Sequence, residues 1–217
     1  MKIACVGYRD WTLKIYNEII RCCPEHEYLR FNDVKEYDAK RIFEFNPDFI
    51  LYYGWSEKVG EEIFSKYKSV VLHISPLPKY RGGSPIQNQI IRCETKSAVT
   101  LFFIDGGIDT GDIIAQGEIS LAGHLFEIFD RIIDVGICLT LKMLSGDYKP
   151  RKQNNAEATS FKRRTPEESE ITLDELQNKE GLYLYNKIRM LEDPYPNAFI
   201  KTKDGKKLYI KLAELDE

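Results

Sequence analysis

Two side chains that can move protons follow two predicted strands in the middle of the chain. His73 lies near the end of the apolar run SVVLHIS, and Asp109, 36 positions later (109 − 73), lies in the turn IDGGIDTG after the run AVTLFFI. An imidazole can donate an N–H group to a developing negative charge, and a carboxylate can accept a proton or orient the imidazole. Each residue also has an ordinary explanation, since a single His is more often structural and Asp is a common turn residue. The ends of two adjacent strands could bring the pair into one site.

The segment between these two residues is rich in turn-forming residues. It contains Pro76, Pro78 and Pro85 within ten residues, together with the sequence RGGS. A loop of Pro, Gly and Ser directly after a parallel strand lies at the carboxyl edge of the sheet, where open α/β folds bind their ligands. We therefore expect the ligand site at this edge.

Alternating strands and helices must position that edge. The run KIACVG predicts a buried strand, and apolar residues at helical spacing from Trp11 to Arg21 predict a helix. Further strands are predicted at 27–30, 47–55, 69–75 and 98–104, with helices around 34–45 and 59–66 and between the last two strands. Apolar strands separated by helices are typical of a parallel sheet covered on both faces. The sequence thus predicts an α/β fold with a mostly parallel sheet and helices on both faces.

The second half of the chain begins with a predicted helix of about twenty residues from Leu121, which has apolar residues at helical spacing. Residues 151–170 are polar and are predicted to form an irregular surface segment. A last segment contains one predicted helix around 173–191 and two strand-like runs, AFIKT and KLYIKL, joined by the turn KDGK. We therefore predict a main domain over 1–155 and a small α+β appendage over 156–217, whose hairpin and helix could bury surface in a homodimer.

Composition excludes several classes of protein. The 217 residues are 43% hydrophobic and 30% charged, which is not the composition of a disordered chain. With 31 basic and 34 acidic residues the net charge is −3, so we expect no nucleic-acid partner. The five cysteines show no repeated C-x-x-C spacing, which predicts buried free thiols and no metal site. The first apolar run is too short for a signal peptide or a membrane span, so we expect a cytoplasmic protein without a membrane partner.

The loop after His73 resembles the signature of a known family. It has the pattern H-x-S-x-L-P-x-Y-R-G, with the fixed positions at His73, Ser75, Leu77, Pro78, Tyr80, Arg81 and Gly82. This pattern resembles the signature of the folate-dependent formyltransferases, which have a Rossmann-like fold and formylate glycinamide ribotide, methionyl-tRNA or sugar amines. The later run IDTGD resembles their second signature. The runs YYGW, FKRRTPEES and IRMLEDPYPNAF are similar to the sugar-amine branch.

The resemblance implies transfer of a formyl group from 10-formyltetrahydrofolate, used as a co-substrate, to a primary amine. His73 would then supply an N–H group to the tetrahedral oxyanion, and Asp109 would accept a proton from the amine or orient His73. The loop from Ile104 to Gly107 would approach the pteridine with its backbone, while Trp55 would form a wall of the pocket or belong to the core. The implied folate-binding residues are Trp55, Ile104, Asp105, Gly106, Gly107 and Asp112.

The chain departs from the family pattern at one position. The family has an Asn two residues before the His, and this chain has Val71 there. Valine cannot donate a hydrogen bond to an oxyanion, and the loss of one such donor costs about 2.7–4 kcal/mol in the barrier. Asn88, which lies early in the helix after the loop, is the candidate substitute as a catalytic residue. The alternative is that Asn88 only caps or packs that helix.

The amine acceptor is expected at the end of the first strand and at the Pro–Gly loop. No G-x-G-x-x-G motif follows that strand, so no dinucleotide cofactor is expected. Arg81 could bind a phosphate group of a nucleotide-linked sugar, or it could be paired locally. The candidate acceptor-binding residues are Tyr8, Arg9, Arg81, Gly83 and Ser84.

The charge of the appendage bears on the choice of acceptor. Residues 156–217 contain 11 basic and 13 acidic side chains, a balance of −2 that is poorly suited to a phosphate backbone. The sequence therefore favours a small amine, such as a nucleotide-linked amino sugar, over tRNA. Two alternatives stay open: hydrolysis of 10-formyltetrahydrofolate by the same His and Asp, and a catalytically silent protein that binds folate or a nucleotide sugar.

Overall fold

A computed structural model describes residues 1–216, and its centre is a six-stranded sheet in the order β2-β1-β3-β4-β6-β7. Two further two-stranded sheets pair β5 with β8 and β9 with β10. The strands are β1 (Lys2–Val6), β2 (Glu27–Phe31), β3 (Phe49–Tyr53), β4 (Lys68–His73), β5 (Arg81–Gly82), β6 (Lys96–Phe103), β7 (Ile113–Ser120), β8 (Ser160–Phe161), β9 (Ala198–Lys201) and β10 (Lys207–Ile210). The α-helices are α1 (Asp10–Cys22), α2 (Ala39–Phe45), α3 (Glu61–Phe64), α4 (Pro85–Ile90), α5 (Leu125–Leu144), α6 (Leu173–Asn178) and α7 (Gly181–Arg189).

Two hydrophobic clusters lie on opposite faces of the central sheet. On one face, alternate residues of β1, β3, β4 and β6 pack against α1 and α5. On the other face, the intervening residues of β1 and β3 pack against α2 and α3, with Ile42 and Ile63 fully buried. Helices on both faces explain why β3, with the sequence FILYY, is apolar throughout.

The mostly parallel α/β sheet is confirmed, but not every strand runs as predicted. Strands β1 to β4 are mutually parallel. Strand β6 pairs antiparallel with β4, and β7 pairs antiparallel with β6. The sequence analysis did not predict β7, whose nine-residue connection from β6 is too short for a parallel crossover. This reversal determines how the residues after β6 reach the end of β4 at His73.

Several helices are shorter than the sequence predicted. The segment 34–45 forms a 3-10 turn, Val34–Glu36, and then α2, because Asp33 and Asp38 each accept a backbone N–H and start a new turn. The segment 59–66 contains one helical turn, α3. The segment 173–191 forms α6 and α7, separated near Lys179. The helix of about twenty residues is confirmed as α5, which has 20 residues.

The C-terminal segment packs against the main core. Arg189 donates hydrogen bonds to the carbonyls of Leu121 (2.8 Å) and Gly123 (2.9 Å), and Glu192 accepts one from the backbone N–H of Leu125 (2.8 Å), the first residue of α5. The cluster beneath α1 and α5 also includes Ile171, Ile188, Met190, Leu191 and Ala198. The predicted hairpin is confirmed as β9 and β10. The domain boundary between 155 and 156 stays a prediction.

The cysteines differ from expectation in their exposure. All five are free, but Cys22, Cys93 and Cys138 are exposed and Cys23 is half-buried. Only Cys5 is buried, and burial raises the pKa of its thiol to about 12 although the charge of Arg30 lowers it. The prediction of buried thiols is therefore wrong for four of the five.

Among residues 1–216, no helix has both the length and the apolar character that a membrane crossing requires.

Candidate functional site

His73 lies at the carboxyl end of β4 and is 7% exposed. Its ring atom Nε2 lies 2.8 Å from the carbonyl oxygen of Tyr80. A carbonyl can only accept a hydrogen bond, so Nε2 carries a hydrogen in this arrangement. The other ring atom, Nδ1, faces the carboxylate of Asp109 at 3.5 Å from Oδ2. The two predicted proton-moving side chains therefore lie together.

Asp109 reaches His73 by a route that the sequence did not predict. Because β6 is antiparallel to β4, its end at Phe103 lies beside Val70, near the middle of β4. The loop 104–112 begins beside Ser69, near the start of β4, and carries Asp109 to His73 at its end. Asp109 has a left-handed backbone conformation, with φ of 53°, which costs a non-glycine residue about 1–2 kcal/mol. Its Oδ2 also accepts a hydrogen bond of 2.7 Å from the backbone N–H of Gly82.

The Pro–Gly loop is held by the segment around β8. The backbone N–H groups of Arg81 and Gly83 donate to the carbonyls of Thr159 (2.8 Å) and Phe161 (2.9 Å). Gly82 has φ of 91°, and a Cβ at this position would clash with the Phe161 carbonyl. This close approach explains the glycine and fixes the N–H that Asp109 accepts.

Tyr80 completes the anchoring of the same loop. Its ring stacks on that of Phe161, with 5.1 Å between the centroids. Its hydroxyl donates to Glu94 at 2.7 Å, and burial together with the Glu94 carboxylate raises the pKa of Tyr80 to about 12. The ring stacking and the hydrogen bond to Glu94 together fix the residue whose carbonyl His73 contacts.

A cavity of about 550 Å³ adjoins Asp109 on the side of α3. Four of the residues predicted to bind folate line it: Trp55, Ile104, Gly106 and Gly107. The other lining side chains are mostly apolar or aromatic and include Tyr52, Val59, Phe64, Val71, Phe102 and Ile108. Such a cavity suits a flat ring system, whose polar edge can meet the backbone of the glycine-containing loop.

The two remaining predicted folate-binding residues belong to the same loop. Asp105 accepts hydrogen bonds from the backbone N–H of Gly107 (3.1 Å) and from the hydroxyl of Thr110 (2.7 Å), so its side chain closes the loop. Asp112 accepts a hydrogen bond from the backbone N–H of Phe103 through its carbonyl, at 3.0 Å. In this structure both residues shape the loop.

Val71 lies in the wall of the cavity between two neighbours across the sheet. It pairs with Tyr52 on β3 and with Phe102 on β6, and all three side chains line the cavity. Burial holds the pKa of Tyr52 far above its usual range, so its hydroxyl is a neutral donor and acceptor that contacts Tyr37 at 3.1 Å. The position of the family's Asn is therefore apolar but borders the site.

Asn88 does not point towards His73 as expected. Its amide nitrogen donates to the carbonyls of Gly83 (3.0 Å) and Ser84 (3.1 Å), and its amide oxygen accepts from Arg92 (3.1 Å). Both ends of the amide are engaged in closing the Pro–Gly loop onto α4. The expectation of a substitute oxyanion donor has no support in this geometry, and the packing alternative describes the residue.

The candidate acceptor-binding residues divide into two groups. Tyr8 and Arg9 lie just after β1, beside the cavity wall. The Tyr8 hydroxyl donates a hydrogen bond to Ser56 (2.9 Å), and the Tyr8 ring packs edge-on against Trp55, with 5.8 Å between the centroids. The Arg9 guanidinium lies 5.0 Å from the centroid of the Tyr8 ring. Gly83 and Ser84 contact the segment after β8, where the Ser84 hydroxyl accepts a hydrogen bond from the backbone N–H of Arg164 (3.1 Å).

The expectation that Arg81 binds a phosphate group is wrong for this conformation. Arg81 is 7% exposed, and its guanidinium donates to the amide oxygens of Gln153 (2.7 and 3.1 Å) and Asn155 (2.9 Å). The local pairing considered as the alternative is what the structure shows.

Two backbone groups and one side chain near the pair were missed by the sequence analysis. The Tyr80 carbonyl and the Gly82 N–H contact His73 and Asp109 directly, and backbone groups leave no mark on residue type. Gln153 lies in the segment 151–170, which was interpreted as surface, yet it hydrogen-bonds the turn at Asp109. A single Gln in a polar segment carries no pattern that could have revealed this contact.

Comparisons of this chain with family models and with known sequences point to the same family. Residues 14–125 match the family model described as "Formyl transferase". A methionyl-tRNA formyltransferase from Finegoldia magna is 30% identical over 182 residues, which cover 80% of this chain and 56% of that protein. This chain therefore spans just over half the length of the curated relatives that it matches.

Solved structures show the same likeness over the full length. A methionyl-tRNA formyltransferase from Clostridium thermocellum has a TM-score of 0.85 and 32% identity, covering 97% of both chains. A 4-N formyltransferase from Francisella tularensis has a TM-score of 0.80 and 18% identity, covering 100% of this chain and 98% of the other. The latter identity is low, so this second likeness shows the shared fold alone.

Proposed function

Since this chain belongs to the formyl transferase family, we propose that it transfers a formyl group from 10-formyltetrahydrofolate to a primary amine. The observation that carries the proposal is the His73–Asp109 pair at the border of an apolar cavity. The pair supplies an imidazole and a carboxylate, with 3.5 Å between Nδ1 of His73 and Oδ2 of Asp109, and the cavity supplies the space for the formyl donor. Formyl transfer requires all three.

The cavity fits the pteridine part of the donor. Trp55, Phe64 and Phe102 offer flat apolar surface, while Gly106 and Gly107 expose backbone to the same space. Gly106 has φ of 89°, a conformation that glycine adopts without strain. Bound here, 10-formyltetrahydrofolate supplies a formyl group on a nitrogen that can leave. The residues of the chain would bind the ring, exclude water and hold the reacting carbon near Asp109.

Asp109 and His73 have distinct tasks in the transfer. The amine nitrogen forms a bond to the formyl carbon, and the formyl oxygen becomes negative until the bond to the leaving nitrogen breaks. Asp109 can take the proton that the attacking amine loses, and that proton can pass to the leaving nitrogen. His73 can donate an N–H to the negative oxygen, but its Nε2 hydrogen is directed at Tyr80 in this structure, so the ring must turn to do so.

For the acceptor we propose a small amine, in particular an amino sugar linked to a nucleotide. Support comes from the balance of −2 over residues 156–217 and from the sugar-branch segments noted in the sequence. The Francisella 4-N formyltransferase shares the fold over the whole chain. A methionyl-tRNA acceptor is the second candidate, favoured because the relatives that are 30% and 32% identical are methionyl-tRNA formyltransferases.

Val71 supports a further alternative for the same site. The apolar residue at the position of the family's Asn removes an oxyanion donor, and the Asn88 amide is engaged elsewhere. A chain that binds the folate but does not transfer the formyl group would have the same cavity. Hydrolysis of the donor would use the same pair with water in place of the amine.

One experiment separates these functions. The protein is incubated with 10-formyltetrahydrofolate and, in parallel, with amino-sugar nucleotides, with methionyl-tRNA or with no acceptor, and release of tetrahydrofolate is followed. We expect release that depends on an amino-sugar nucleotide and is lost in Asp109→Asn. Release only with methionyl-tRNA would refute the sugar acceptor, release without any acceptor would indicate a hydrolase, and folate binding without release would refute the transferase.

A further inference from the structure

One side-chain amide connects the two loops that meet at the His73–Asp109 pair. Gln153 lies between a β-bridge that joins Arg151 to Ile113 and the 3-10 turn Asn155–Glu157. Its amide nitrogen donates to the carbonyls of Asp109 (2.9 Å) and Gly111 (2.8 Å). Its amide oxygen accepts from Nε (3.1 Å) and Nη2 (2.7 Å) of Arg81. All of the hydrogen-bonding capacity of the amide is therefore used.

The two loops held by Gln153 carry the two groups that locate the Asp109 carboxylate. The Pro–Gly loop presents the Gly82 N–H, which donates to Oδ2 at 2.7 Å, and Gly82 directly follows Arg81. The loop 104–112 presents Asp109 itself, in a left-handed conformation that few residues other than Gly, Asn and Asp adopt. Hydrogen bonds to the carbonyls of Asp109 and Gly111 hold the backbone on both sides of Thr110, so they stabilise this turn.

Arg81 depends on the same amide. Its guanidinium is buried and is held by the neutral amide oxygens of Gln153 and Asn155. Loss of the Gln153 side chain would leave two turn carbonyls and part of a buried cation without these partners. A group left without a partner in a buried setting is costly, so the loops would shift to find new ones.

We propose that Gln153 is a positioning residue that fixes the Asp109 carboxylate against His73 by tying the turn at Asp109 to Arg81. Gln153 bonds the Arg81 guanidinium and the backbone carbonyls of Asp109 and Gly111, so it acts on the pair through the two loops. The kinetic part of this proposal rests on the proposed function, whereas the structural part concerns the His73–Asp109 contact and can be measured without a substrate.

The test compares three variants with the wild-type protein. Gln153→Ala removes both halves of the amide, and Gln153→Glu keeps acceptors for Arg81 but cannot donate to the turn carbonyls. Asn154→Ala is the matched control, because the Asn154 amide bonds only Glu157 and the backbone N–H of Ala156, within its own segment. Thermal unfolding checks that each variant folds.

The first readout is kinetic. We expect both Gln153 variants to lower kcat for formyl transfer by between about 10-fold and 100-fold and to leave KM for the folate unchanged. Losses of this size are typical when hydrogen bonds that orient a reacting side chain are removed. Asn154→Ala should keep the wild-type kcat. A Gln153→Ala variant with wild-type kcat, or one in which only KM rises, overturns the proposal.

The second readout needs no activity. The chain has three histidines, so the ring cross-peaks of His73 can be assigned by NMR with a His73→Asn variant. At a fixed pH, Asp109→Asn gives the cross-peak position of His73 without its carboxylate neighbour. Gln153→Ala and Gln153→Glu should move the His73 cross-peak towards that position, and Asn154→Ala should leave it in place. An unmoved cross-peak in both Gln153 variants refutes the inference even if the wild-type protein transfers no formyl group.

Discussion

Replacement of Val71 by asparagine should raise the rate of formyl transfer. Val71 precedes His73 by two residues on β4, so both side chains project from the same face of the sheet, with Cα atoms about 6.6 Å apart. Val71 and Asp109 both line the cavity in which the donor is proposed to lie. An amide at position 71 would therefore place an N–H donor beside the formyl oxygen, in a region that already excludes much of the solvent.

The size of the effect follows from the value of one donor to an oxyanion. A single preorganised donor contributes about 2.7–4 kcal/mol, which corresponds to a factor of about 100 to 1,000 in rate. Against this, Val71 packs against both the cluster under α2 and the small cluster of Leu77, Phe102 and Ile113. Since Val71 is only half-buried, the loss of its methyl groups should cost about 1 kcal/mol of stability. We expect a faster and slightly less stable protein.

The assay is a single-turnover measurement with saturating 10-formyltetrahydrofolate and the acceptor found active. Val71→Leu is the matched control, because it stays apolar and adds no donor, and it should not accelerate transfer. Folate binding and thermal unfolding are measured for both variants. If Val71→Asn folds, binds the folate and is no faster than the wild-type protein, then the oxyanion is already held by another donor and the argument from position 71 is wrong.

Three further outcomes follow from the geometry. Asp109→Asn should keep the fold, since the amide oxygen can still accept a hydrogen bond from the Gly82 N–H. It should lower kcat at least about 100-fold, because the proton acceptor is lost. Steady-state kinetics with thermal unfolding as a control tests this, and a near-wild-type kcat contradicts it. Glu175 is partly buried, which raises its pKa, but hydrogen bonds from Lys187 and from the helix start outweigh burial and hold that pKa below its usual range. The ionised Glu175 therefore stabilises the fold above its unfolded pKa of about 4.3, and this stabilisation is lost as the pH falls through the lower folded pKa. Urea unfolding at several pH values tests this: the free energy of unfolding of Glu175→Gln should fall less steeply at acid pH than that of the wild-type protein. Gly82→Ala should destabilise the protein more than Gly205→Ala. Both glycines have positive φ, but a Cβ at Gly82 would meet a backbone carbonyl, whereas the space around Gly205 is open. Equal losses of stability in denaturant unfolding would show that the backbone at Gly82 can move away from that carbonyl in solution.

Much of the sheet could be predicted because burial leaves a strong pattern in sequence. Continuous apolar runs marked β1, β3 and β4, and the helical spacing of apolar residues marked α5. Strand direction leaves no such pattern, since a buried strand is apolar whichever way it runs. The apolar pattern therefore shows where β6 lies in the chain, but it does not show that β6 runs antiparallel to β4.

The site was predictable only where residue type restricts chemistry. Type and context alone leave His73 and Asp109 as candidates beside ordinary structural explanations; the family resemblance selects them, and the structure brings the two side chains together. The roles of Asn88 and Arg81 could not be settled in this way, because a polar side chain can bond whichever partner the fold places nearest. The partners of Arg81, Gln153 and Asn155, lie 72 and 74 residues further along the chain, whereas those of Asn88, Gly83 and Ser84, lie only five and four residues before it.

The course of the loop 104–112 has a consequence for how such a protein can change. Five of its nine residues line the cavity, and the same loop brings Asp109 to His73. An insertion or deletion in this loop would alter the fit of the proposed formyl donor and, at the same time, displace Asp109, the proposed proton acceptor. The loop after β1 carries neither member of the pair, whereas the Pro–Gly loop contacts both of them through the Tyr80 carbonyl and the Gly82 N–H. If Tyr8 and Arg9 bind the acceptor as proposed, a change of acceptor with the donor retained should be sought first at these two residues.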